Sequence, residues 1–181
     1  QYHICDTEVL QQQLANSLMQ QTEFCFDTET TGIDANEAEL VGMSFSFKKG
    51  EAFYIPFTAD YADTVEVLKI FKPVFENEQI AKVGQNLKYD IIMLRWYEVK
   101  VNGPLFDTML AHYLIEPDQK HNMDYLAALY LNYEPIPIEN LIGEKRAGQL
   151  SMRTVPLAQI APYACEDADV TLQLKHILSQ L

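Results

Sequence analysis

The sequence predicts an α/β fold: a mixed five-stranded sheet, a three-strand antiparallel meander plus parallel strands, flanked by helices. Three observations carry this. Residues 23–56 hold closely spaced apolar and alternating segments, the last two joined only by Lys48-Lys49-Gly50, as in an antiparallel hairpin. Between Ile80 and Asp107, strand-length and helix-length patterns alternate, which adds parallel strands to the meander. From Asn122 onward the pattern is mainly helical.

Each element has a local reason. After a short apolar start, Asp6 to Gln20 is a helix with Leu10, Leu14 and Leu18 on one face and Asp6 or Thr7 as its cap. Glu23 to Asp27, Leu40 to Phe47 and Ala52 to Pro56 form the meander, with Phe45 and Phe47 alternating with polar neighbours. Asp63 and Glu66 have capping-box spacing and open a helix reaching about Glu78, whose buried stripe is Val65, Leu68, Phe71, Val74 and Phe75. Ile80 to Val83 is a strand, and Gly84 leads into a helix from Asn86 to Tyr97. Leu105-Phe106 is a short strand entering a helix near Asp107. Residues 142–155 carry two glycines, three basic residues and little periodicity, and read as a mobile loop. Pro156 suits the first turn of a final helix running to Ser179, and Pro162 either kinks that helix or marks its start.

At 181 residues and 48% hydrophobic content, the chain is of single-domain size, and no apolar run has the length of a membrane span. The start, Gln1-Tyr2-His3-Ile4-Cys5, has neither an initiator methionine nor a secretory layout, so residues 1–181 are expected to be one domain excised from a longer chain. Cys5, Cys25 and Cys165 are odd in number and widely spaced, as free thiols in a reducing cytoplasm are. His3, His112, His121 and His176 show no ligand spacing. The net charge of −13 opposes phosphate binding, unless part of it converges on divalent cations that reverse the local potential.

Three acidic clusters support that convergence. On a strand, Asp27 and Glu29 share a face near its C-terminal end, although a solvated strand terminus has the same pattern. In the Asn86 helix the apolar stripe runs through Leu87, Ile91 and Leu94, and Asp90 lies about 40° from Leu94, bordering the core beside Asn86 one turn earlier. In the last helix Ala164, Asp167, Thr171, Leu174 and Leu178 make a three-four stripe that places Asp167 on the buried side, whereas Glu166 and Asp169 are expected in solvent. Tyr163 precedes Asp167 by one turn. Hard oxygen donors of this kind favour magnesium, manganese or calcium over zinc.

Phe26-Asp-Thr-Glu-Thr30, Val83-Gly-Gln-Asn-Leu-Lys-Tyr-Asp90 and Tyr163-Ala-Cys-Glu-Asp-Ala-Asp-Val-Thr171 together resemble the three motifs of the 3′-5′ proofreading exonuclease domain of bacterial family A DNA polymerase I. The resemblance runs from about residue 22 to 178 in the expected order. It implies a ribonuclease-H-like fold and a two-metal site using Mg2+ or Mn2+. Asp27, Glu29 and Asp167 would hold one ion, Asp27 and Asp90 the other, and Tyr163 would orient the attacking water. A related subgroup uses histidine five residues before the last aspartate, where this chain has Pro162, so the tyrosine subgroup is indicated.

The same resemblance assigns Gln85, Asn86 and Tyr89 to a groove for the primer end and Ile33 to an apolar wedge between the last bases, with Lys145, Arg146 and Arg153 screening the backbone if their loop closes. The implied substrate is a single-stranded or frayed DNA 3′ end, the implied partner a polymerase domain in cis that lies outside this chain, and the implied location the bacterial cytoplasm near the nucleoid rather than a membrane. A ribonuclease D-like RNA-trimming enzyme shares the carboxylates and the tyrosine, and a silent scaffold domain is the non-enzymatic alternative. The Gly84-Gln-Asn-Leu-Lys-Tyr-Asp90 wording favours the polymerase branch, and the intact acidic set argues against a scaffold.

Overall fold

A computed structural model describes residues 1–181. Its centre is β2 (Glu23–Thr30), paired antiparallel with β3 (Leu40–Lys48) and parallel with β5 (Ala81–Gly84). β4 (Glu51–Pro56) completes the expected meander, and β6 (Leu105–Asp107) lies parallel to β5. The sheet has six strands rather than five, in the order β1-β4-β3-β2-β5-β6. The additional strand, β1 (Tyr2–Ile4), runs parallel to β4. All three of its side chains are exposed, so it leaves no burial pattern in the sequence.

The strand period of two divides β2 between two cores. Phe24 and Phe26 enter an aromatic cluster with Phe45, Phe71 and Phe75, all fully buried. Helices α1 (Glu8–Met19), α2 (Tyr61–Glu76) and α3 (Leu87–Trp96) close this side with Leu14 and Leu18, Leu68, and Met93 and Leu94. Cys25 faces the other way, against Ala168 and Leu172 of the long final helix. That helix, together with α4 (Thr108–Ile115), α5 (Met123–Leu126) and α6 (Glu139–Ile142), is on the second side; it is α7 (Leu157–Leu178). No helix is long and apolar enough to cross a membrane.

Helix termini differ from expectation in instructive ways. α2 begins earlier because Asp60, not Asp63, is its cap, with the Asp63 N–H donating to Asp60 Oδ1 at 3.0 Å. α3 begins at Leu87, since Asn86 is left-handed at φ 57°. The orphan N–H groups of Asn86 and Leu87 donate to Asp107 at 3.0 and 2.9 Å, and Asp107 also accepts from Met109 N–H at 2.9 Å. One carboxylate thus caps two helices and fixes the entry to α3. α7 starts directly after Pro156 and continues through Pro162, whose ring is exposed.

Candidate active site

The alternation that buries Cys25 sends Asp27 and Glu29 to the same side of β2, toward α7. There Asp167 meets them: one oxygen from each of Asp27, Glu29 and Asp167 lies within 4.8 Å of the others. Glu29 Oε1 and Asp167 Oδ1 are buried and accept no hydrogen bond. Burial pushes the Asp27 carboxyl up to about 7, opposed by the Thr28 backbone N–H. Burial, and then the neighbouring carboxylates beginning with Asp27, raise Glu29 and Asp167 well above the usual range. Buried acceptors without donors, in a group that resists ionising together, are what a divalent cation satisfies, so the donor set fits the implied metal.

Asp90 comes from the first turn of α3 and is buried, yet it stands outside that trio. Its Oδ1 accepts from Thr28 N–H at 3.1 Å and from the Thr28 hydroxyl. Burial, then the charge of Asp27, raises its pKa well above the usual value. Tyr163 is half-buried on the groove wall with Asp27, Glu29 and Asp167. Burial, and then Asp167, push its phenol far above the ordinary range, which keeps the hydroxyl protonated.

Asp27, Glu29, Tyr163 and Asp167 line an open groove of about 670 Å³, with Asp90 buried behind its wall. Ile33 is 98% exposed at its rim. Asn86 and Tyr89 also line it, and the Tyr89 hydroxyl donates to Gly32 O while bonded to the Thr30 hydroxyl, so Tyr89 anchors the turn that presents Ile33. Gln85 is not on the groove wall; its amide donates to His121 O at 2.7 Å and its carbonyl oxygen accepts from the Thr108 hydroxyl. Gln85 therefore braces the segment from within.

Residues 142–155 are more structured than expected. They hold short 3-10 turns at Lys145–Ala147 and Met152–Thr154, with Ile142 and Met152 buried against α7. Arg153 points inward: its guanidinium donates to Phe57 O at 2.9 Å and Leu40 O at 2.8 Å, with Glu39 at 3.6 Å. It is thus a staple and is not available to screen a phosphate backbone, whereas Lys145 lines the groove. The expectation that Glu166 and Asp169 are solvated also fails, since they are 4% and 5% exposed. Glu166 accepts from the Tyr133 hydroxyl and from Ile136 N–H at 2.6 Å. Asp169 accepts from the Tyr2 hydroxyl at 3.0 Å and from Gly50 N–H at 2.9 Å. Sequence reasoning also passed over Thr28, although strand alternation places it on the α3 side of β2.

A carboxylate cluster at the end of the central strand of such a mixed sheet places the chain in the ribonuclease-H-like fold class. The fold matches the catalytic core of RRP6 from Trypanosoma brucei with a TM-score of 0.75 at 20% identity, covering 99% of this chain and 46% of that one. It matches the POL domain of Pol1 from M. smegmatis with a TM-score of 0.73 at 18% identity, covering 98% of this chain and 27% of that one. Residues 2–181 fit the family model described as 3′-5′ exonuclease, and the chain belongs to that family.

Its sequence relatives include DNA polymerase I of Pseudomonas aeruginosa, 43% identical over 86% of this chain and 18% of the relative. DNA polymerase I of Borreliella burgdorferi is 33% identical over 99% of this chain and 20% of its own length. The chain thus spans about a fifth of these relatives, and the resemblance expected from the three motifs is borne out.

Proposed function

We propose that this domain hydrolyses the terminal phosphodiester of single-stranded or frayed DNA 3′ ends, one nucleotide at a time. It does so with two divalent cations, Mg2+ or Mn2+, as the proofreading unit of a cytoplasmic DNA polymerase I whose polymerase domain lies outside residues 1–181. The observation that carries the reading is the convergence of Asp27, Glu29 and Asp167 within 4.8 Å, with two of their buried oxygens lacking any partner.

Asp27, Glu29 and Asp167 would hold one cation, and Asp27 with Asp90 the other. Bound cations supply Lewis-acid activation of water and neutralise charge developing on the phosphate. The chain's own residues do the rest. Tyr163, held protonated, donates a hydrogen bond that orients the attacking water and does not act as a base. Ile33 wedges beneath the last base, and Asn86 and Tyr89 line the path of the strand without reading its sequence.

The test is digestion of matched, 5′-labelled DNA and RNA single strands with Mg2+ or Mn2+, with chelator, and with Asp167→Ala. The expected result is a metal-dependent ladder of single-nucleotide steps on DNA that D167A abolishes. Preference for RNA would replace the substrate assignment with the RNA-trimming alternative. An uncut strand in the presence of metal-bound protein would leave a scaffold.

A further inference from the structure

The Thr28 side chain lies on the face of β2 opposite Asp27 and Glu29, the face that carries Phe24 and Phe26. The parallel pairing between β2 and β5 ends at Cys25–Val83, because β5 stops at Gly84 and the chain turns toward α3. A Cβ at position 84 would sit 2.4 Å from Leu87 Cδ2 and 3.3 Å from Phe26 O, so that turn hugs the strand. Past this point β2 has no strand neighbour on its β5 side. Thr28 N–H does not enter a ladder there; it donates to Asp90 Oδ1, and the Thr28 hydroxyl donates to the same oxygen.

Asp90 therefore closes the split between β2 and β5 with one oxygen. Both of its bonds from Thr28 fall on Oδ1, and neither engages Oδ2. This clamp is the direct hydrogen-bonded link between the carboxylate on α3 and the strand that carries Asp27 and Glu29. We infer that Thr28 is a positioning residue: its hydroxyl and N–H orient Asp90 so that one oxygen braces the sheet and the other faces the second cation. The inference rests on the two-cation reading above, and it assigns to the middle residue of the first motif a task separate from that of its neighbours. Outer partners of this kind matter because a ligand held in one orientation does not have to be ordered when the ion arrives.

The test is a Mn2+ titration of the 181-residue chain by calorimetry, with free ion followed by electron paramagnetic resonance, on wild type, Thr28→Val and Thr28→Ser. Wild type should bind two ions of unequal affinity. T28V keeps the backbone donor but loses the hydroxyl; it should weaken the looser ion by about 10-fold or more, as loss of an outer partner does, and leave the tighter ion within about twofold. T28S should restore the looser ion. Should T28V fail to fold, T28A takes its place in the comparison.

Two ions at unchanged affinity in the folded variant would overturn the inference while leaving the two-cation reading intact. Equal weakening of both ions, or no rescue by serine, would overturn it as well, since either marks a general loosening of the site. Fewer than two ions on wild type would instead sink the reading on which the inference stands, and the inference with it.

Discussion

Glu29 Oε1 and Asp167 Oδ1 are both buried, both lack a hydrogen-bond partner, and both belong to one cluster contributed by β2 and α7. Such an arrangement costs stability unless something positive sits between them. Metal binding should accordingly stabilise the fold, by about 2.7 kcal/mol at a free ion concentration 100 times Kd. The pH dependence follows with a definite sign. Burial raises Asp27 from 3.8 to about 7, so in that window the folded, metal-free chain binds a proton that the unfolded chain has released. Stability of the metal-free chain is then greatest below the unfolded value and falls as pH rises through the folded one. Thermal melts in chelator from pH 4 to 8 should show that fall, and Mn2+ should remove most of it. Glu23, half-buried but pulled down overall by Lys175 and His176, slopes the other way in both conditions and cancels in the difference. A chelator curve parallel to the Mn2+ curve would refute this account.

Asp167→Asn separates activity from stability. The amide removes one charge from a group that cannot comfortably ionise together, so the variant should melt higher than wild type in chelator. It also removes a ligand, and cutting should fall by more than about 100-fold, beyond what loss of an outer partner costs. A variant that melts lower in chelator would mean that Asp167 is a structural acid.

Tyr163→Phe deletes a hydroxyl and little else. Because the phenol is held protonated by burial and by Asp167, the wild-type rate should show no basic limb belonging to Tyr163 below the ordinary phenol value of 10.0. The variant should lose up to about 100-fold in kcat, the scale of one lost positioning donor, with KM nearly unchanged. A rise in KM with kcat intact would reassign Tyr163 to holding the strand.

Ile33 is 98% exposed, so the fold has no use for its side chain. Ile33→Ala should change stability by less than about 0.5 kcal/mol. Its effect belongs to the substrate: cutting at paired 3′ ends should slow more than cutting of single strands, because only the former must be wedged apart. Equal slowing on both substrates would argue against a wedge.

Where the sequence was legible, the pattern followed from a single geometric period. That Asp27 and Glu29 share a face is strand alternation and was legible in the sequence; the structure extends the same period to Phe24 and Phe26, which lie on the opposite face in the aromatic core. Helical spacing placed Asp167 beside Ala164 and Thr171 in the same way. The misread residues are those whose partners arrive from distant segments. Glu166 and Asp169 lie off that stripe, and a helix with one dry face would leave them wet. α7 instead packs against β1, β3 and β4, and is covered again by the Tyr133–Ile136 segment, so both acids are buried with donors 30 or more positions away. β1 shows no periodicity because none of its side chains is buried.

Arg153, the one misjudged cation, gives the sharpest contrast with Lys145, because they sit eight positions apart in one loop and act in different ways. Arg153 gives two guanidinium donors to the carbonyls of Phe57 and Leu40, at the ends of β4 and β3. Arg153→Ala leaves those acceptors unpaired and should cost about 2 kcal/mol, the scale of hydrogen bonds from a charged donor, while the salt dependence of DNA binding stays as in wild type. Lys145 is exposed on the groove wall with its side chain free of any salt bridge. Lys145→Ala should leave the melting temperature unchanged, raise KM for a single strand, and flatten the log–log salt slope by about 0.7, the value of one lost phosphate contact on single-stranded nucleic acid. The two variants should therefore exchange roles in the two measurements. A shallower salt slope in R153A, or a lowered melting temperature in K145A, would show that the division between staple and phosphate contact has been drawn in the wrong place.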